Sequence, residues 1–141
     1  MEISHDFLVG RIVDYVESDD FKIFCPKNNQ IIYQLEKRLP GMDLPDSISD
    51  YEGWRLDDSI YILGEAKTTS YNLKAKGSRT QLRNYLNKGK KRKNFHLIYA
   101  VPLSIVKHTK NVILEEIEKD EEISVSLHLI TDTDYCAIKK I

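Results

Sequence analysis

Asp46, Glu65 and Lys67 are the residues whose types and spacing suit a hydrolytic reaction. Glu65 and Lys67 lie two residues apart at the end of the apolar run YILGEAK. Side chains alternate between the two faces of a strand, so this carboxylate and ammonium project together with Tyr61 and Leu63, while Ile60, Ile62, Gly64 and Ala66 take the other face. Desolvating such a pair is costly unless water, a metal or a substrate compensates. Asp46 follows Pro45 in a candidate preceding strand, from which its carboxylate would reach Glu65. Adjacent carboxylates repel, which raises one pKa unless a cation lies between them. All-oxygen ligation favours Mg²⁺, with Mn²⁺ as a substitute, over zinc. Such an ion polarises a phosphoryl oxygen and acidifies bound water, while Lys67 orients that water or offsets charge developing on the phosphate. The reaction so described is phosphodiester hydrolysis. Asp43, Asp50, Asp57 and Asp58 crowd the same stretch and stay open as alternative partners of Glu65.

Charge distribution leads to the same chemistry. Lys and Arg number 21 and Asp and Glu 22, a formal net charge of −1 that argues against binding nucleic acid by bulk electrostatics alone. The average conceals a segregation. Residues 74–93 carry Lys74, Lys76, Arg79, Arg83, Lys88, Lys90, Lys91, Arg92 and Lys93 with no acid, and these are the expected phosphate contacts of a DNA-binding surface. Residues 42–65 carry Asp43, Asp46, Asp50, Glu52, Asp57, Asp58 and Glu65 against Arg55 alone. A cation site followed by a phosphate-binding run is what a metal-dependent phosphodiester enzyme needs. The acidic block 115–122 reads as a solvated helix end.

The elements that must position these groups follow from periodicity. A chain of 141 residues with 41% hydrophobic and 30% charged residues fits one domain with a single core, and no repeat or low-complexity tract divides it. No apolar stretch approaches the roughly 20 residues of a membrane span, and the N-terminus lacks the pattern of a signal peptide, so a cytoplasmic protein is expected. Cys25 and Cys136 show no metal or disulfide spacing. Residues 4–17 read as a helix capped by Ser4, 21–25 as a short strand, and 30–39 as either helix or strand. A strand near Pro45 leads through a polar loop or hairpin turn at 50–58 into the strand 59–67. After a loop at 68–77 come a helix at 78–88, a doubly buried strand at 95–101, a helix around 105–117 and a strand at 124–130. Helices interleaved with buried strands imply an α/β domain, a mixed sheet flanked by helices.

Pro45-Asp46 followed by Glu65-Ala66-Lys67 resembles the signature of the PD-(D/E)XK nuclease superfamily, the restriction-endonuclease-like fold. The wider run GEAKTTSYNLKAKGSRTQLRNYL, with a strand ending in Val101-Pro102, is similar to small prokaryotic members of it. The resemblance implies an αβββαβ core, here with an additional helix and strand, and Mg²⁺-dependent hydrolysis of DNA. It also implies Asp46 and Glu65 as metal ligands, Lys67 as the catalytic lysine and Gln81 as the helix glutamine beside the active site. Some branches take a further acid from the first helix, a position open to Asp6 or Glu2.

Against these stand structural readings of the same residues. Ser78 and Gln81 fit a capping box. Tyr51 and Trp54 suit base stacking, with packing over the sheet preferred for Trp54. His5, His96, His108 and His128 lack relay spacing and receive no ligand or base role. The alternative function is a non-catalytic nucleic-acid-binding or assembly subunit of a larger nucleoprotein or defence system. Cutting both strands of DNA would suit a homodimer.

Overall fold

Ser4 starts the first helix, α1 (His5–Glu17), its Oγ accepting the Phe7 amide at 3.1 Å. Leu8, Ile12, Tyr15 and Val16 form its buried stripe, as the helical period requires. In a computed structural model the described residues are 3–36, 48–69 and 76–139.

Two stretches depart from the pattern expected. Residues 21–25 form no strand; a short helix α2 (Asp19–Lys22) and a turn replace it. Phe21 alone of α2 is buried, and Asp19 and Asp20 favour a helix start. The Asn28 side chain closes this turn, donating to the carbonyls of Val16 and Ser18 at 2.7 and 2.8 Å. The ambiguous stretch 30–39 contributes β1 (Ile32–Leu35). The polar stretch expected to be loop contains β2 (Tyr51–Trp54), leaving the hairpin turn at 55–60, where Asp58 adopts a φ of 58°. β2 is strand because Tyr51 and Gly53 turn inward while the outward Glu52 binds Gln34, Tyr61 and Lys88. The candidate strand at Pro45 lies outside the described residues.

β3 (Tyr61–Ala66) and β4 (Phe95–Ala100) are buried throughout, matching their continuous apolar sequences. With β5 (Ser126–Ile130) and β6 (Tyr135–Lys139) they complete one mixed six-stranded sheet in the order β1-β2-β3-β4-β5-β6. β1 to β3 are antiparallel, β3 to β5 parallel, and β6 antiparallel. Helix α1 covers one face through Leu8, Ile12, Ile62, Ile98 and Ile130. Helices α3 (Lys76–Gly89) and α4 (Val106–Glu118) cover the other through Leu82, Leu86, Ile113, Leu63 and Leu97. The fold is therefore α/β, a mixed sheet between helices. Gly89 ends α3 against β4, where an added Cβ would lie 2.2 Å from the Phe95 ring. Cys25 is a buried free thiol. Among the described residues no helix is long and apolar enough to cross a membrane.

Under α1, two of the histidines join a buried chain. The Tyr15 hydroxyl lies 2.6 Å from His128 Nδ1, His128 Nε2 lies 2.8 Å from His96 Nδ1, and His96 Nε2 lies 3.0 Å from Asn94 Oδ1. Each neutral imidazole has one donor and one acceptor, so with Asn94 Oδ1 as terminal acceptor every link in the chain is satisfied. Protonating His128 would place a second donor against an occupied one. Burial first, then His96, pushes its pKa down from 6.5 to about 3. The unfolded chain then binds the extra proton, so this histidine's contribution is full above 6.5 and falls as the pH drops. Chemical denaturation of wild type and His128→Gln should show the wild type losing about 3 kcal/mol more between pH 6.5 and about pH 4. Parallel stability profiles would refute a neutral, buried His128.

Candidate functional site

β2 and β3 pair with Tyr51 opposite Gly64, which places Asp50, the residue before β2, beside Glu65 near the end of β3. Both carboxylates are 2% exposed. The Asp50 amide donates to Glu65 Oε1 at 3.2 Å, and Asp50 Oδ2 accepts the Ala66 amide at 2.8 Å. His5 Nε2, from the first turn of α1, lies 3.0 Å from the same Oδ2. Lys67 Nζ stands 3.1 Å from Glu65 Oε2 and donates to Gln81 Oε1 of α3 at 3.0 Å. Four elements thus deliver two carboxylates, one imidazole, one ammonium and one amide to a single corner of the sheet.

The register explains the convergence. In β3, Tyr61, Leu63 and Glu65 point toward α3 while Ile62 and Ala66 point toward α1. Lys67 continues the first set, as strand alternation requires. A cleft of about 370 Å³, lined by His5, Asp6, Val9, Gly10, Leu35, Glu36 and Asp50, opens beside Asp50. The Glu36 amide donates to the Asp50 carbonyl at 3.1 Å, and its side chain also bonds the Asp50 carboxyl.

The two acids are driven apart electrostatically. Burial alone would raise the Asp50 pKa, but bonds from His5, Glu65, Ala66 and Glu36 outweigh it and hold Asp50 far below the ordinary carboxylate range. Glu65 moves the other way: burial, then the Asp50 charge, push it from 4.5 up to about 8, with Lys67 opposing. At neutral pH without a cation, Asp50 is ionised and Glu65 protonated. Burial and then the Glu65 charge also raise the hydroxyls of Tyr85 and Tyr99, which face this corner.

Several expected site residues fall elsewhere. Asp46 and Asp43 lie outside the described residues, as does Glu2; of the alternative partners of Glu65 among the described residues, Asp50 is the one that meets it. Asp57 and Asp58 belong to the hairpin turn at the far end of β3. Asp6 is fully exposed, and the first-helix position near the carboxylates is taken by His5, which sequence reasoning passed over. The available signal was its place in the first turn of the same helix. Gln81 is no capping-box partner, because α3 begins at Lys76 and Ser78 stands inside it. Its side chain serves Lys67 instead.

The basic run also differs from expectation. Residues 88–93 are expected phosphate contacts, yet Phe95 pairs with Tyr61 and Tyr99 with Glu65, so this segment lies toward the end of β3 opposite the carboxylates. The four residue steps from Tyr61 to Glu65 span about 13 Å. Most of the cations described are engaged within the fold. Arg79 reaches Glu115 and Glu116 at 3.7 and 3.5 Å, and Arg83 meets the Glu116 carboxylate at 2.9 Å and its carbonyl at 2.6 Å. Lys88 pairs with Glu52 at 3.1 Å and Lys90 with Asp120 at 2.9 Å. Arg92 lies 3.7 Å from Asp58 and 4.1 Å above the Tyr61 ring. Lys91 and Lys93 are exposed; Lys74 and the Lys76 side chain fall outside the described residues. The acidic block 115–122 is not simply solvated, since Glu116 is 5% exposed and clamps α3 to α4. Tyr51 is buried beneath Tyr33, ring centroids 5.2 Å apart, and is closed to bases. Trp54 packs on the sheet, as preferred.

Among the described residues no group of three or more His, Cys, Asp or Glu side chains is arranged as a ready metal cage. The donor chemistry nevertheless fits a hard divalent cation. Mg²⁺ commonly binds through one or two carboxylates and keeps several waters, and Asp50 and Glu65 supply two such oxygens where mutual repulsion favours a cation. Comparison with protein-family models, curated proteins and solved structures gives no match for this chain.

The raised Glu65 pKa has a measurable sign. Its folded value exceeds the ordinary 4.5, so its stabilising proton is fully present below 4.5 and lost as pH rises through about 8. In metal-free buffer, wild type should lose stability relative to Glu65→Gln across that interval, on the order of 4 kcal/mol, read by denaturant unfolding. Superimposable pH profiles would show that Glu65 is not protonated in the folded protein.

Proposed function

We propose that this chain is a Mg²⁺-dependent nuclease of the PD-(D/E)XK type that hydrolyses DNA phosphodiester bonds through activated water. The observation that carries the reading is the cluster of buried Asp50 and Glu65 with half-buried Lys67 and Gln81 at the end of β3. The element order α1, α2, β1, β2, β3, α3, β4 supports it, because, apart from the one-turn α2, the same succession of types defines the restriction-endonuclease-like core. Asp50 fills the acidic position that the sequence signature suggested for Asp46.

Asp50 and Glu65 would hold the cation, with Mn²⁺ as a substitute. When bound, that ion supplies Lewis acidity toward a phosphoryl oxygen and makes water more acidic. The chain's own groups do the rest. His5 fixes the Asp50 carboxylate through Oδ2, and the Ala66 amide fixes it from the backbone. Gln81 accepts a hydrogen bond from the Lys67 ammonium and directs that group toward Glu65, leaving its third N–H for a water or a phosphate oxygen. Lys67 thereby offsets charge that grows on the phosphate during attack. No covalent intermediate is required. The internal pairing of Arg79, Arg83, Lys88, Lys90 and Arg92 weakens the alternative of a binding-only subunit relying on those cations.

Supercoiled, linear, branched and single-stranded DNA incubated with the protein and Mg²⁺ or Mn²⁺ should be cut. Glu65→Ala and Lys67→Ala should each lower the rate about 10²- to 10³-fold while circular dichroism and DNA affinity are preserved. DNA left intact by the wild type under every metal condition, or variants cutting at the wild-type rate, would overturn the reading.

A further inference from the structure

Among the described residues β1 is the outer edge of the sheet, and all four of its residues are exposed. Three of them are large apolar side chains: Ile32 and Tyr33 are each 40% exposed and Leu35 is 42% exposed. Residues 31–35 contain no charge and no proline, the usual protection of an open edge. The Glu36 amide bonds the Asp50 carbonyl, so Glu36 points its backbone inward to β2. Backbone direction alternates along a strand, so Gln34 and Ile32 also point inward while Tyr33 and Leu35 turn N–H and C=O outward.

We propose that β1 joins a second copy of this chain as an antiparallel, twofold-symmetric pair, making one continuous sheet across a homodimer. A twofold axis normal to the sheet keeps each face on its own side, so the pairing register must be even. Centred on Tyr33, it sets Tyr33 against its own copy and Ile31 against Leu35, joining two apolar stripes that line the α1 side. The outward groups of Tyr33 exchange both hydrogen bonds, and the Leu35 amide reaches the Ile31 carbonyl of the copy. A second copy fits better than an unrelated peptide because one register satisfies backbone and apolar complementarity from a single sequence. The strand is short, so the dimer is concentration-dependent.

Sedimentation velocity over a concentration series, with and without Leu35→Pro, tests this. Proline removes an outward N–H that β2 does not use and is tolerated on an edge strand. The expected result is a wild-type dimer and a dissociation constant raised at least about tenfold in the variant, with unchanged circular dichroism. A second measurement is independent of how proline affects folding. Tyr33→Cys, in a background of Cys25→Ser and Cys136→Ser, should oxidise to a covalent dimer, whereas Gln34→Cys in the same background should not. At the axis the Cα atoms of a hydrogen-bonded pair stand about 5.5 Å apart, within disulfide reach. A wild type that stays monomeric at all concentrations, a dimer indifferent to Leu35→Pro in folded protein, or equal crosslinking at both positions would overturn the proposal.

Discussion

Two carboxylates enclosed in one corner of the sheet, with room for a single negative charge between them, set the terms for everything around them. Asp50 keeps its charge because His5 and the Ala66 amide bind its Oδ2. Glu65 remains beside it by taking a proton and leaning on Lys67. An arrangement so burdened with desolvation is poor at stabilising a fold. Its cost is understandable if another positive species completes it, as the proposed hard cation would.

The elements around this corner serve it in different ways. The β2 to β3 register sets the spacing of the acids, and the parallel step from β3 to β4 brings Tyr99 level with Glu65. Helix α3 contributes Gln81 from one side while α1 contributes His5 from the other. Glu116 holds α3 in place through Arg79 and Arg83, so charges that look like a nucleic-acid surface in sequence instead fasten two helices together. At the opposite end of β3, Arg92 and Lys88 secure the β2–β3 hairpin and its aromatic ring.

The readable parts of the chain were those governed by local periodicity. Ser4 and the apolar stripe of α1, the buried runs of β3 and β4, and the pairing of Glu65 with Lys67 on one face all follow from spacing alone. Residues 21–25 and 50–58 did not yield to that reading. The first became helix and turn around one buried aromatic, and the second became a strand because Glu52 found partners on β1, β3 and α3. Both outcomes depend on neighbours far along the chain.

What the sequence itself determined is therefore an α/β order of elements and a strand that must carry Glu65 and Lys67 on one face together, since alternation with period two is a property of the backbone. Only tertiary structure could choose Asp50 among the described acids, seat His5 beside it, turn Gln81 from cap to partner, and consign most of the described basic run to internal ion pairs. Those choices are made by strand register and helix docking, which fix distances between residues up to 45 positions apart. One residue of slip in β2 would have sent a different side chain into the corner, and composition holds no record of that register.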